Sequence, residues 1–585
     1  MAAPLGAQAV RYDVSVTTPA SRLFHIRAEV PAGARDTLYL SLPAWSPGSY
    51  EIQNYARYVR HFTARNPGGG ALFWDRLDKD TWRVATGGAP RVTVEFDVLA
   101  DTIDLSLARI ADDFGQFLGT NLFLFEEGRL DRPAEVRFTL PTGWRVTTAL
   151  RGRGPTYAAA DYHELADAMT FVGRHALDSL QVDRRWIRLA VWPAAAYTPA
   201  VAQNLRGAVE KMAGTQNRLL GGPPYDVYTV FFMIVHAGVP FGGGLEHSAA
   251  QFDILPQPAF ADAAGNLGDF VIPLLSHEFF HLWNVKRIRP AELWPYDYRV
   301  EQFTPLLWWS EGVTDYYADL TNLRAGLWTG ERFLESAAEN METVAAAPEP
   351  WSVEDGSVAT WIDEVYVNSS QLYYPEGSLI GLLLDVSIRD AMDNRRSLDD
   401  VTRALFTRFY RQGKGFTTPD LLRLLTEVGM PDAEAFYQRY INGRADLPYE
   451  TVLAKAGLAV QRDTLSEFVL GTQLSLGPEG EIVVERVLPD GSAHTAGVEP
   501  GDVLVKLDDI ELRPTAEVFE IMRNRFRGRA GSPLAVTVRR AGRAVTLTGR
   551  VVAHQRTGFA IARVAEPTAQ QARVWQGLVT GTTGQ

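Results

Sequence analysis

Hydrophobic and polar positions alternate with a period of two through the first third of the chain. RYDVSVTT (11–18), HIRAEV (25–30), TLYLSL (37–42), RVTVEFDVLA (91–100) and EVRFTL (135–140) each turn every second side chain to one face, the pattern of half-buried strands. Clusters such as PAGARD and NPGGG separate them and predict turns. Residues 1–180 therefore read as an antiparallel, β-sandwich-like domain, closing near DYHELADAMTFVG (161–173). The rhythm changes over 181–455. WIRLAVWP (186–193) and DVYTVFFMIV (226–235) predict strands, the second apolar on both faces. VAQNLRGAVEKMAGTQNRLL (201–220) predicts an amphipathic helix between them. Later segments, among them SLIGLLLDVSIRDAM (378–392) and DDVTRALFTRFYRQ (399–412), repeat at helical spacing.

Within the helical part, residues 277–281 read His-Glu-Phe-Phe-His. On a helix, positions i and i+4 share a face, so His277 and His281 can offer two imidazoles to one Zn²⁺. Glu278 then faces a water on that metal and can take its proton. Ile272, Leu274, Leu275, Phe279, Phe280 and Leu282 surround the motif with apolar surface, as in a buried helix. Arg289-Pro290 is expected to end that helix, because proline cannot continue one.

Such a site needs a third protein ligand and leaves the fourth position to water. Glu311, in PLLWWSEGVTDYYADL (305–320), follows an aromatic run and opens a second helical pattern. Asp315 lies one turn later on the same face, placed to accept the outer N–H of a ligating histidine. Two further segments bear on substrate. In VPFGGGLEHSAAQF (239–252), Gly242, Gly243 and Gly244 let backbone approach a ligand closely; by itself the stretch reads as a glycine turn before a strand, with Glu246 solvated. NSSQLYYPEGSLIGLLLDVSIRD (368–390) sets Tyr373 and Tyr374 before a long apolar helix, where a tyrosine can donate to an oxyanion.

Together these segments resemble the PDZ-containing glycyl aminopeptidase family of zinc metallopeptidases, in the gluzincin clan. HEFFHLWNVKRIRP resembles its signature block and WWSEGVTDYYADL its third-ligand helix. The resemblance implies a multidomain α+β chain with a thermolysin-like zinc peptidase domain, a strand-bearing lobe and a helical lobe flanking the zinc helix. GGGLEH resembles an exopeptidase motif whose glutamate binds the substrate's free α-amino group, which points to Glu246. YYPEGSL resembles a Tyr-x-Lys-Gly motif whose tyrosine stabilises the transition state, which points to Tyr374; Glu376 stands where the clan has Lys. LPAWSPGSYEI (42–52) resembles the family's N-terminal signature and reads as a loop of packed aromatics rather than a substrate contact. Residues 465–554, with Ala496-Gly497-Val498-Glu499-Pro500-Gly501-Asp502 at their centre, resemble a PDZ domain. Its carboxylate loop would be Val469-Leu470-Gly471-Thr472, either capturing a peptide C-terminus or purely structural. In the tail, 555–585, AQQARVWQGLV predicts a short helix docking onto the body.

Composition narrows the choice. A chain of 585 residues is too long for one core. A net charge of −13 argues against nucleic acid or an anionic membrane as partner. The absence of cysteine removes disulfides and thiol catalysis, and no apolar run reaches the ~20 residues of a membrane span. No signal peptide is visible in MAAPLGAQAVRYDVSV, and the compartment stays open. The expected activity is a zinc aminopeptidase, one ion per chain, acting on peptides with a free N-terminus. By resemblance it removes glycine and alanine. The alternatives are a zinc endopeptidase on the same scaffold, or a non-catalytic PDZ peptide-binding protein, against which the intact set His277, Glu278, His281 and Glu311 argues.

Overall fold

The computed structural model describes residues 9–236, 239, 242–347, 351–362, 372–477, 481–513, 521–522 and 524–584. The N-terminal region is β-rich, as the alternation predicts. Its largest sheet has seven strands in the order 151–153, 156–159, 134–139, 10–15, 23–31, 91–99, 59–65, and two four-stranded sheets complete it. One expectation is corrected. Val10–Ser15 pairs with Ala134–Thr139 in parallel, so the large sheet is mixed rather than antiparallel. Alternation reports which face a residue takes, not the direction of its neighbour.

A five-stranded sheet carries the next region, in the order Ala176–Val182, Arg185–Trp192, Val227–Val235, Ala250–Pro256, Gly243–His247. The three central strands are parallel, and Val227–Val235 is buried on both faces, because helix Pro199–Leu219 covers one side and the N-terminal region the other. Gly243–His247 runs antiparallel at the edge. The glycine segment is thus itself a strand, where the sequence by itself reads as a turn.

The zinc-motif helix spans Val271–Phe280. It does not run to Arg289 as predicted. His281 caps its C-terminus and Val285 takes a φ of +143°. Early termination frees the backbone after His281 to fold back on the site. The third-ligand helix, Val313–Arg324, is preceded by a π-helical turn over Trp308–Gly312. A third helix, Tyr373–Ala391, packs across that turn.

The C-terminal module stands on a ribbon. Leu458–Phe468 pairs antiparallel with Ala553–Arg563 over its whole length, and the PDZ core between them is a separate apolar cluster around Val484, Leu504, Phe526 and Val536. The chain then returns to the region of the zinc-motif helix. Helix Ala569–Thr580 buries Val574, Trp575 and Leu578 in the main core, and Leu578 O accepts from Arg324 Nε at 3.0 Å. The predicted tail helix therefore docks. No helix among the described residues is long and apolar enough to cross a membrane.

Candidate metal and peptidase site

His277 and His281, one turn apart on a buried helix, point their Nε2 atoms at one another, 2.9 Å apart. Their outer nitrogens are committed elsewhere. His277 Nδ1 donates to Asp315 Oδ1 at 2.6 Å, and His281 Nδ1 donates to the carbonyl of Asn284, also at 2.6 Å. With the protons on Nδ1, both Nε2 atoms present lone pairs. Glu311 Oε2 lies 3.2 Å from His281 Nε2 and 3.5 Å from His277 Nε2. Three possible ligand atoms thus converge on one point, an arrangement that a cation would satisfy. Two imidazoles and a carboxylate are the donor set of a catalytic zinc.

Each element is positioned for local reasons. The early end of the zinc-motif helix places the Asn284 carbonyl on His281, and Asn284 Nδ2 donates onward to Trp309 O at 2.7 Å and Thr314 Oγ1 at 3.0 Å. One asparagine therefore ties the histidine helix to the turn carrying Glu311. That turn is π-helical, a form found at functional sites. Gly312 and Gly377 meet where helix Tyr373–Ala391 crosses it. A Cβ on Gly312 would lie 2.5 Å from Gly377 Cα, and one on Gly377 2.5 Å from Trp308 O. Bare glycines allow this backbone contact, which carries the Tyr374 ring to 6.1 Å from that of His277.

The glycine strand arrives from the opposite side. A Cβ on Gly244 would overlap the Glu278 carboxyl, so only glycine lets the strand pass so close. Glu246, two residues on, is 4% exposed. It offers an oxygen within 4.8 Å of those of Glu278 and of a nitrogen of His281. Among the described residues, Glu246 Oε1 and Glu278 Oε2 accept no hydrogen bond. Burial pushes the Glu278 carboxyl well above the usual range, and Glu246, Asp253 and Glu311 add to this against the opposing His277; a divalent cation reverses that balance. Burial also raises the Tyr374 and Tyr50 phenols, with Glu311 adding to it, so both stay protonated and remain donors.

Sequence reasoning brought His277, Glu278, His281, Glu311, Asp315, Glu246, Gly243, Gly244 and Tyr374 to one site, and the fold gathers them all. Glu376 is not among them. It turns from the metal cluster into a cavity of about 300 Å³ lined by Leu372, Tyr449, Arg462 and Phe559. Three contributors were missed. Lys286 is buried, with Nζ 3.0 Å from Pro47 O, 3.2 Å from Asp167 Oδ1 and 3.6 Å from Glu246 Oε1. Gly48 lies against the Glu246 carboxylate, where a Cβ would come within 2.5 Å of Oε2. Tyr50 OH donates to Glu311 Oε1 at 3.2 Å. The signals were the lysine inside the zinc block and the W-S-P-G-S-Y run (45–50), which packs aromatics as predicted but also reaches the metal cluster.

Comparison with known families bears on the same segments. Residues 11–174 match the Peptidase M61 N-terminal domain, 271–380 the M61 glycyl aminopeptidase, and 483–540 a PDZ domain. Two segments of the chain thus match the two domains of M61 peptidases. The chain is a zinc metallo-aminopeptidase, a hydrolase of peptide bonds, and the cluster of His277, His281 and Glu311 is consistent with a zinc site. Its fold is shared with an aminopeptidase N family protein from Idiomarina loihiensis, at 23% identity and a TM-score of 0.81 over 97% of this chain and 99% of that one. An M1 zinc metallopeptidase from Deinococcus radiodurans aligns over 75% of this chain and 94% of its own, at 16% identity and a TM-score of 0.49. No curated protein matches this chain.

Proposed function

We propose that the chain removes small N-terminal residues, glycine and alanine, from peptides. The observation that carries this reading is the buried Glu246 carboxylate beside Glu278 and His281, at the end of a half-open glycine edge strand. A substrate α-ammonium entering this cleft needs a counter-charge, since an unpaired buried charge costs several kcal/mol. Glu246 supplies it. The peptide backbone lies along Gly243-Gly244, whose outer edge is free to pair as in strand addition. Anchoring the amine so near the metal cluster leaves room for a single residue before the bond that is cut.

His277, His281 and Glu311 would hold the metal, and Asp315 would fix the tautomer of His277. Zinc on these ligands supplies Lewis acidity, polarising a carbonyl and bringing the pKa of a water towards about 7. Glu278 Oε2, which has no hydrogen-bond partner among the described residues, takes the proton of the attacking water and returns it to the leaving amine. Tyr374 donates its phenolic hydrogen to the oxyanion as it forms. The PDZ module offers a second peptide-binding surface for an extended C-terminus.

A panel of aminoacyl chromogenic amides, with free or acetylated amines and with or without chelator, tests this. Glycyl and alanyl amides should turn over fastest, and chelation should abolish the activity. Acetylation, or Glu246→Ala with zinc still bound, should reduce the rate by about 10²-fold or more, the cost of losing substrate position. Acetylated peptides cut as fast as free ones would refute the exopeptidase reading.

A further inference from the structure

Glu311 presents two oxygens to two different partners. Oε2 faces the histidines at 3.2 and 3.5 Å, while Oε1 accepts from Tyr50 OH at 3.2 Å. Tyr50 does not belong to the peptidase region. It comes from the N-terminal region, on the loop after strand Thr37–Ser41. We propose that Tyr50 is a positioning residue for the metal site, supplied by the N-terminal domain, which holds the Glu311 carboxylate with Oε2 towards the histidines and so raises zinc affinity.

The arrangement around Tyr50 is built to hold that hydroxyl still. Tyr50 sits in the left-handed backbone region, φ +46°, which costs a residue with a Cβ about 1–2 kcal/mol and persists only where the surroundings impose it. They do so at several points. Ala44 N donates to Tyr298 O at 2.7 Å, and Trp45 Nε1 to Asp297 O at 2.8 Å. Trp45 packs edge-on against Tyr296 and Trp361, with centroids 5.9 and 5.1 Å away, and the Tyr50 ring packs edge-on against the same Trp361 at 6.0 Å. Lys286, from the zinc block itself, donates to Pro47 O at 3.0 Å. The loop is therefore clamped to both sides of the site, and the Tyr50 oxygen has little freedom.

A carboxylate on a flexible side chain binds a metal better when its second oxygen is already held, because less rotational freedom is lost on binding. Glu311 needs such a partner. It stands on the π-helical turn, and Tyr50 is the only hydrogen-bond donor to its Oε1 among the described residues. Asp315 does for His277 what Tyr50 does for Glu311.

The inference rests on the zinc reading of the triad but not on the substrate preference. Its test therefore uses zinc affinity, measured on the full chain by competition with a chromogenic chelator and no peptide present. Tyr50→Phe keeps the ring and its packing and removes only the hydroxyl. The zinc dissociation constant should rise about 10- to 100-fold, the range for loss of a partner that orients a ligand. KM should stay unchanged, and excess zinc should restore kcat to near the parent value. The melting temperature of the zinc-free chain should move little. Unchanged zinc affinity would overturn the proposal. So would a kcat deficit that persists at saturating zinc with normal affinity, which would place Tyr50 on the reacting atoms. A drop in zinc-free melting temperature with unchanged affinity would reduce Tyr50 to packing and overturn it equally. Loss of the glycine preference leaves the affinity measurement untouched, so the two readings fail separately.

Discussion

Replacing Glu376 with glutamine should stabilise this protein, and increasingly so as pH rises. Glu376 sits on the face of helix Tyr373–Ala391 away from the metal cluster, in the cavity shared with Tyr449 and Phe559. Burial pushes its carboxyl up from 4.5 to about 7. The native chain therefore holds this proton more tightly than the unfolded chain does. Stability is full below about pH 4.5 and falls as pH rises through the window from about 4.5 to about 7. A tenfold difference in proton affinity between folded and unfolded chain corresponds to about 1.36 kcal/mol, so the loss approaches about 3 kcal/mol above pH 7. Partial solvent access at the cavity reduces this towards about 1–3 kcal/mol. Glutamine fills the same volume and never ionises. The gain for Glu376→Gln should be under about 1 kcal/mol at pH 5 and should reach its full value near pH 8. Calorimetric melting of zinc-saturated wild type and variant between pH 5 and 8 measures it. Differences between midpoints are the proper quantity, since a multidomain chain does not melt as one unit. A gap of several degrees opening with pH is expected. A gap constant from pH 5 to 8, or one that closes, would show that Glu376 is already ionised in the fold, and would refute the argument.

Two further outcomes follow from the packing. Gly312→Ala should keep zinc bound but lower kcat by about 10²-fold, because its Cβ would meet Tyr373 O and Gly377 Cα and push Tyr374 off the site by about 1 Å; wild-type kcat in this variant would show that the helix crossing does not position the tyrosine. A chain ended near residue 460 should be severely destabilised, since it loses the buried Val574, Trp575 and Leu578, roughly 5 kcal/mol of apolar burial. Excision of 469–552 should be tolerated far better, because Phe468 and Ala553 are paired neighbours on the ribbon that a two-residue turn can join; equal stability of the two shortened chains by thermal melting would contradict this.

The sequence by itself determined the chemistry at the metal. An i, i+4 pair of histidines can face one ion only on a helix, so His277, Glu278 and His281 declared their geometry locally. Glu311 and Asp315 follow the same one-turn logic. Strand alternation likewise marked the N-terminal region as β, and a docking tail helix was visible in AQQARVWQGLV. What the tertiary structure decided is everything that depends on contacts between distant segments. The parallel pairing of Val10–Ser15 with Ala134–Thr139 leaves no mark in either strand, because a half-buried strand reads the same beside a neighbour of either direction. The zinc-motif helix stops at Phe280 rather than before Pro290 because Asn284 and Lys286 have partners elsewhere, in the Glu311 turn and at Asp167 and Pro47. No local propensity carries that information. Gly48 and Tyr50 belong to a loop whose aromatics suggested packing alone, and only closure of the two regions onto each other brings them to Glu246 and Glu311. Local periodicity encodes which face a residue turns inward; which groups then share that interior is set by packing across the whole chain.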